Sequence, residues 1–221
     1  MAADAPIGVF DSGLGGLSVL GAATALLPNE SFIYFGDNRR APSGDKPPEV
    51  VLRHAEDVTD KLLSLGCKAI VIACNTATSV AAQPLRKQLS LPVIGMEPAL
   101  KPASLLPGAG RILVLATRLT LSQEKFNRLM ARYGRDAVAV PCPGLVELVE
   151  AGETEGARVD ALLARLLSPY RDEGCKAVVL GCTHYVFLRR SVERVFGSGV
   201  PVIDGNAGTA RQQQNSNQIR N

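Results

Sequence analysis

The chain contains one thirteen-residue segment twice, as Gly66-Cys-Lys-Ala-Ile-Val-Ile-Ala-Cys-Asn-Thr-Ala-Thr78 and as Gly174-Cys-Lys-Ala-Val-Val-Leu-Gly-Cys-Thr-His-Tyr-Val186. Each copy carries a cysteine eight residues past its glycine, and these two, Cys74 and Cys182, lie 108 residues apart (182 − 74). In both copies an apolar run leads straight into the cysteine and a small polar cluster follows: Asn75, Thr76 and Thr78 in one, Thr183 and His184 in the other. Each copy reads as a buried strand that ends in an exposed thiol. The repeat therefore constrains the chain to two related halves, each presenting one thiol at the end of a strand.

The rest of the sequence supports a duplicated parallel α/β plan. Pro6-Ile-Gly-Val-Phe10 is an apolar run that stops at Asp11-Ser-Gly-Leu-Gly-Gly16, and a helical stretch follows to Leu27. Such a glycine-rich turn at a helix start can offer backbone N–H groups to an anion. Further strands are predicted at Ser31–Phe35, Ala69–Ala73 and Pro92–Gly95, with a helix from Pro47 to about Leu65 opened by Pro47, Pro48 and Glu49. In the second half, strands are predicted at Arg111–Ala116 and Ala137–Val140, at the second copy of the repeat, and at Pro201–Asp204. A helix over Arg158–Tyr170 places Val159, Leu162, Leu163, Leu166, Leu167 and Tyr170 on one face. Thr120 with Gln123 has the form of a capping box. Pro201-Val-Ile-Asp204 matches Pro92-Val-Ile-Gly95 at an offset of 109 (201 − 92), nearly that of the cysteines. The expected architecture is two pseudo-symmetric parallel-sheet α/β domains with the active site in the cleft between them. Residues 98–205 form one domain; residues 1–97 and 206–221 form the other, to which the chain returns. Arg211–Asn221 has a single apolar residue, and a frayed tail is expected there.

Composition narrows the function classes. Five cysteines without a CxxC pair do not make a disulfide framework, so reduced thiols in the cytoplasm are expected. No apolar run reaches the roughly 18–20 residues of a membrane span, and the N-terminal stretch lacks a signal-peptide pattern. A net charge of +3, with basic residues scattered among nearly as many acids, gives no nucleic-acid footprint. The expected partner is a small-molecule substrate, bound by a homodimer.

Ligands of parallel α/β sheets bind outside the carboxyl ends of the strands. Asp11, Ser12, Asp37, Cys74, Asn75, Glu97, Thr117, Cys182, Thr183, His184 and Asp204 all fall at such ends. Each of the two thiols also sits where a following helix would start, which favours the thiolate. Two thiols facing one carbon suit a proton exchange that inverts it, one thiolate removing a proton while the opposing thiol donates one. Ser12, Asn75, Thr76, Thr117, Thr120 and Thr183 are suited to anchor substrate carboxylates.

Asp11-Ser-Gly-Leu-Gly-Gly16, Ala73-Cys-Asn-Thr-Ala77 and Gly181-Cys-Thr-His184, in this order, resemble the glutamate racemases of the aspartate/glutamate racemase family, over about Ile7 to Ala210. The resemblance implies a cofactor-independent enzyme that interconverts L- and D-glutamate and supplies D-glutamate for peptidoglycan. It implies that Cys74 and Cys182 are the acid/base pair, with Asp11 assisting Cys74, and Glu150 and His184 assisting Cys182. It further implies a substrate site lined by Asp11, Ser12, Pro42, Ser43, Gly44, Asn75, Thr76, Thr117, Thr120, Thr183 and His184, and no metal. His184 after Cys-Thr favours glutamate over aspartate. The family usually has Pro-Tyr-Gly where this chain has Pro42-Ser43-Gly44.

Plainer readings stand beside these. Cys67, Cys142 and Cys175 are small buried hydrophobes, His54 is a boundary residue of its helix, and Asp11 and Asp204 suit helix caps. A Cys-x-His zinc site at Cys182 and His184 lacks a further ligand pair. The alternatives to a glutamate racemase are an aspartate racemase relative and a dinucleotide-binding α/β protein. For the latter, Gly13-x-Gly15-x-x-Ser18 is one residue short of the fingerprint, and Asp37 is placed for a ribose. That reading leaves both cysteines unexplained. A redox switch joining Cys74 to Cys182 leaves the polar anchors unexplained.

Overall fold

The computed structural model describes residues 4–171, 174–197 and 199–218. The chain divides into two compact units, Met1–Glu97 with Gly205–Asn221, and Pro98–Asp204. In the first unit, β1 (Ile7–Asp11), α1 (Leu17–Leu26), β2 (Phe32–Gly36), α2 (Pro48–Ser64), β3 (Ala69–Ile72), α3 (Asn75–Gln88) and β4 (Val93–Gly95) alternate along the chain. The four strands are parallel in the order β2-β1-β3-β4. Central strands of a parallel sheet are covered on both faces, so their residues are continuously apolar. Accordingly β3 is buried throughout, and Ile7, Val9, Val71, Ile94 and Met96 pack with Val19 of α1 into one core. On the opposite face α2 buries Val51, Ala55, Val58, Thr59 and Leu62, the stripe an amphipathic helix lays on a sheet.

The second unit repeats this plan with more interruptions. It contains α4 (Leu100–Ser104), β5 (Arg111–Ala116), α5 (Arg118–Ser122), α6 (Glu124–Tyr133), β6 (Ala137–Pro141), α7 (Leu145–Glu150), α8 (Ala157–Leu167), β7 (Cys175–Leu180), α9 (Arg189–Phe196) and β8 (Val202–Asp204). Its sheet is also parallel, in the order β6-β5-β7-β8. The two repeat copies thus occupy the same position, β3 and β7, each paired with the first strand of its own sheet. Two parallel four-stranded sheets with flanking helices are the α/β class that the repeat implies.

Three local expectations need correction. The predicted helix over Arg158–Tyr170 is α-helical only to Leu167, and Ser168–Tyr170 tighten into a 3-10 turn because Pro169 follows Ser168. Its buried stripe is Val159, Leu163 and Leu167, with Leu162, Leu166 and Tyr170 only partly covered. The cap of α5 is Thr117, whose hydroxyl accepts the Thr120 N–H at 3.3 Å, so the expected capping box starting at Thr120 is not formed.

The third correction concerns the C-terminus. Instead of a frayed tail, α10 (Asn206–Gln218) forms and packs on α1 and β4; residues 219–221 lie outside the described residues. Its buried face is Asn206, Thr209, Ala210 and Gln213, which has helical spacing but almost no hydrophobicity. Gln213 is fully buried, and neither its amide nitrogen nor its amide oxygen has a partner. An unpaired buried polar group costs about 1–3 kcal/mol, so Gln213→Met, which keeps the volume, is expected to stabilise the protein by about that much. Urea unfolding of the two proteins checks this. Among the described residues, no helix is long and apolar enough to cross a membrane.

Candidate active site

In the first unit the site forms where β1 and β3 end side by side. β1 delivers Asp11 into the glycine-rich turn, and β3 delivers Cys74 to the N-cap of α3. The turn holds an internal anion. The Asp11 carboxylate accepts the Ser12 N–H at 2.6 Å through Oδ1 and the Gly16 N–H through Oδ2. A Cβ at Gly16 would lie 2.7 Å from Asp11 Cβ and 3.1 Å from Ala73 Cβ, so only glycine lets the turn close this tightly. The Tyr34 hydroxyl, from β2, braces the turn by donating to the Gly13 carbonyl at 2.8 Å. With Gly16 N–H spent on Asp11 and Asp37 paired to Arg40 at 2.6 Å, the groups a dinucleotide would need are already engaged.

Cys74 Sγ accepts the Ala77 N–H at 3.4 Å and lies 3.5 Å from Ser12 Oγ. The N-terminus of a fourteen-residue helix favours negative charge at that sulfur. Asn75 and Thr76 follow in the first turn of α3, each 3% exposed. Both amide atoms of Asn75 are buried without a hydrogen-bond partner, leaving a donor and an acceptor to be satisfied by something that binds. Thr78 is committed to structure, donating to the Ile72 carbonyl at 3.1 Å and accepting the Met96 N–H at 3.1 Å.

The loop after β2 carries Pro42, Ser43 and Gly44, with Pro42 cis. Lys46 ties this loop down by donating to the carbonyls of Arg40 and Pro42, the latter at 2.8 Å. Ser43 is buried and lines a pocket with Asp11, Ser12, Asp37, His54 and Ala77. His54, a half-buried residue of α2, turns its Nδ1 inward, and burial pulls its pKa below the usual histidine value. The bracing roles of Tyr34 and Lys46 leave no trace in hydrophobic periodicity. The only sequence clue is their closeness to the glycine turn and to the Pro42 loop.

The second unit assembles its candidates around Cys182. Here a 3-10 turn (Thr183–Leu188) follows in place of the expected α-helix, and the sulfur makes no capping bond. Its company is a histidine: Cys182 Sγ is 3.9 Å from His184 Nδ1, and His184 Nε2 is 2.5 Å from Glu150 Oε1 at the end of α7. An imidazole whose Nε2–H donates to a carboxylate presents Nδ1 as an acceptor to the thiol, and the carboxylate stabilises the imidazolium formed if the proton moves. Thr183 and His184 are 1% and 2% exposed, so the cysteine–histidine contact is shielded from water, while the Glu150 side chain is 18% exposed. Thr117 and Thr120 form a polar pair 3.0 Å apart at the end of β5, the strand beside β7.

Neither repeat thiol is the exposed group expected at a strand end: Cys74 is 4% and Cys182 6% exposed. The Asp11–Gly16 turn covers the first, and the packing of α7 on the 3-10 turn covers the second. The other three cysteines behave as small apolar residues. Burial raises the pKa of Cys67 and Cys175, and pushes Cys142 up to about 12, with the nearby Cys182 adding to the effect. Asp204, expected as a cap, carries an ion pair to Arg189 at 2.5 Å. Among the described residues, no three His, Cys, Asp or Glu side chains converge as a metal-ligand set.

The chain as a whole is similar to known proteins. The model of the family described as Asp/Glu/Hydantoin racemase matches residues 18–212. A glutamate racemase of Clostridium perfringens is 50% identical over 212 residues, which covers 95% of this chain and 82% of that protein. Among solved structures, glutamate racemase from Thermus thermophilus in complex with β-chloro-D-alanine superposes with a TM-score of 0.83 at 38% identity, covering 100% of this chain and 83% of that one. Escherichia coli glutamate racemase in complex with L-glutamate and the activator UDP-MurNAc-Ala gives 0.88 at 33% identity, covering 97% and 83%. On this match the chain belongs to the Asp/Glu/hydantoin racemase family and is an amino-acid racemase.

Proposed function

We propose that this racemase interconverts L- and D-glutamate without a cofactor, by proton transfer between the substrate Cα and two cysteines, Cys74 and Cys182, acting on opposite faces. The observation that carries the reading is the equivalent position of the two thiols, each just beyond the third strand of its own parallel sheet and each linked to a carboxylate through one intervening side chain, Ser12 to the buried Asp11 and His184 to the partly exposed Glu150. The glutamate racemases of Clostridium, Thermus and Escherichia favour glutamate as the substrate.

In one direction a thiolate takes the Cα proton, so an S–H bond forms while the C–H electron pair stays on carbon. The opposing thiol then gives its proton to the other face and is left as thiolate. The enzyme ends each turnover with its two sulfurs in exchanged protonation states. Glu150 and His184 serve Cys182 by holding and releasing its proton; Asp11 serves Cys74. Asn75, Thr76, Thr117, Thr120, Thr183, His184, Ser12 and the Pro42-Ser43-Gly44 loop hold the two carboxylates and the ammonium group. The domains of the reading are residues 1–97 with 206–221, and 98–205. Its setting is the cytoplasm, where free thiols persist, with D-glutamate supplied to peptidoglycan. Homodimer formation belongs to the same proposal and is checked by light scattering.

Asn75 gives a test with two opposite signs. Asn75→Ala is expected to raise the KM for glutamate by roughly tenfold to a hundredfold, the scale of a lost hydrogen bond to a charged group. The thermal midpoint of the free protein should hold or rise, because the substitution removes a buried, unpaired amide. A KM unchanged from that of the parent protein would take Asn75 out of the substrate site.

A further inference from the structure

We infer that Ser12 is a relay between the Asp11 carboxylate and Cys74, so that Asp11 acts on this thiol through the serine hydroxyl. The inference rests on the two-thiol reading and deepens its first half. Asp11 is fully buried, and both of its oxygens accept backbone N–H groups of its own turn, Ser12 N–H at Oδ1 and Gly16 N–H at Oδ2. A carboxylate pinned in this way is fixed in place as the floor of the turn. The Ser12 hydroxyl bridges outward from it: Oγ is 3.3 Å from Asp11 Oδ1 and 3.5 Å from Cys74 Sγ.

A hydroxyl has one proton to donate and lone pairs with which to accept. When Cys74 is a thiol, S–H donates to Ser12 Oγ while Oγ–H donates to the Asp11 carboxylate, and all three groups are satisfied. When Cys74 is a thiolate, the hydroxyl turns about its C–O bond and donates to sulfur. Asp11 keeps its backbone donors in both states, so the switch needs no movement of the turn. The proton that Cys74 gains or loses is the substrate's; the serine proton only changes its acceptor. The swing exchanges one charge-assisted hydrogen bond for another; Asp11, still held by two backbone N–H groups, loses less than the sulfur gains when the hydroxyl joins the Ala77 N–H there, so the swing favours the thiolate.

The second unit has the same order of parts with a different middle. Glu150, His184 and Cys182 form a carboxylate–relay–thiol chain with separations of 2.5 Å and 3.9 Å. Histidine can take the proton of its thiol and become an imidazolium, whereas serine can only redirect a hydrogen bond. Cys74 accordingly depends on the helix N-terminus and the swinging hydroxyl, and Cys182 on an ion pair with imidazole. Within the repeat, the relay of the second copy is His184, while that of the first lies outside it, in the β1 turn.

The test uses the full-length protein with Ser12→Ala and Ser12→Thr. At one fixed near-neutral pH, the alkylation rates of Cys74 and Cys182 by iodoacetamide are followed by peptide mass spectrometry, and glutamate racemisation kinetics are measured in parallel. The relay predicts that Ser12→Ala slows Cys74 alkylation about tenfold or more and leaves Cys182 unchanged. It also predicts that kcat itself falls by a similar factor, beyond any rise in KM from the lost substrate contact, and that Ser12→Thr restores kcat and the alkylation rate. Cys74 labelling that is unchanged or faster in Ser12→Ala overturns the relay, as does a raised KM with kcat retained, which marks Ser12 as a substrate anchor alone. If the parent protein does not racemise glutamate, the proposed function fails by itself, and the alkylation comparison still decides the relay.

Discussion

On the proposed mechanism, Cys74→Ser and Cys182→Ser are each expected to lower glutamate racemisation by about 10²–10⁴-fold, the range associated with losing a positioned acid or base. Serine is the informative replacement because it keeps a polar acceptor where Cys74 Sγ receives the Ala77 N–H. It exchanges only the thiol for a hydroxyl too weakly acidic to ionise near neutral pH. Far-ultraviolet circular dichroism and the thermal midpoint should therefore stay close to those of the parent protein. In the proposed mechanism the two thiols work in series on one carbon, so the double variant should be little worse than either single one. A further constraint is independent of mechanism. The enantiomers have equal free energies, so kcat/KM must fall by the same factor in both directions; only kcat and KM taken singly can fall unequally.

The largest effect on stability is expected at the contact between β1 and α2. Leu62 is fully buried, and Gly8 faces it so closely that a Cβ there would lie 3.0 Å from Leu62 Cδ1, 3.1 Å from Cys67 Sγ and 3.2 Å from Ile70 Cδ1. Leu62→Ala removes a side chain that holds α2 on the sheet and should cost about 2–5 kcal/mol. Gly8→Ala alone overpacks the same spot and should cost about 1–3 kcal/mol. In the double variant the new methyl group enters the space Leu62 vacates, so the combined loss should fall short of the sum of the two. Denaturant unfolding of the four proteins measures that coupling. Strict additivity would mean that the contact does not set the helix-to-sheet distance.

The repeat made the fold legible because β3 and the Ala177–Leu180 stretch of β7 are continuously apolar and lead to the same kind of residue. Apolar runs bounded by Gly, Pro and Asp marked the remaining strands for the same reason. What periodicity could not expose was α10, whose buried face is Asn206, Thr209, Ala210 and Gln213: its spacing is helical, but its chemistry is that of a surface. The second thiol was visible, yet its surroundings were not equivalent to the first. Cys182 leads into a 3-10 turn, and the carboxylate partner of its His184, Glu150, comes from a short helix 34 residues before that histidine. No spacing rule links such a pair, and Glu150 was named through family resemblance alone. Asp11 was visible at a strand end, but the sequence offered no sign that its carboxylate occupies the anion site of its own glycine turn. That site was read as open to a ligand because glycine-rich turns supply donors, whereas here the acceptor is built in.

The two-thiol account is tested most directly by incubating the protein with L-glutamate in D2O, without added cofactor, and stopping the reaction while little product has formed. The two enantiomers are then separated and their Cα deuterium content measured. With one thiol on each face, the proton removed from L-glutamate stays on the sulfur that took it, and the deuteron added comes from the other sulfur. The D-glutamate should carry deuterium at Cα while the remaining L-glutamate stays almost wholly protiated. Deuterium appearing equally in both enantiomers, or product that keeps the original proton, would point to a single base and contradict the account.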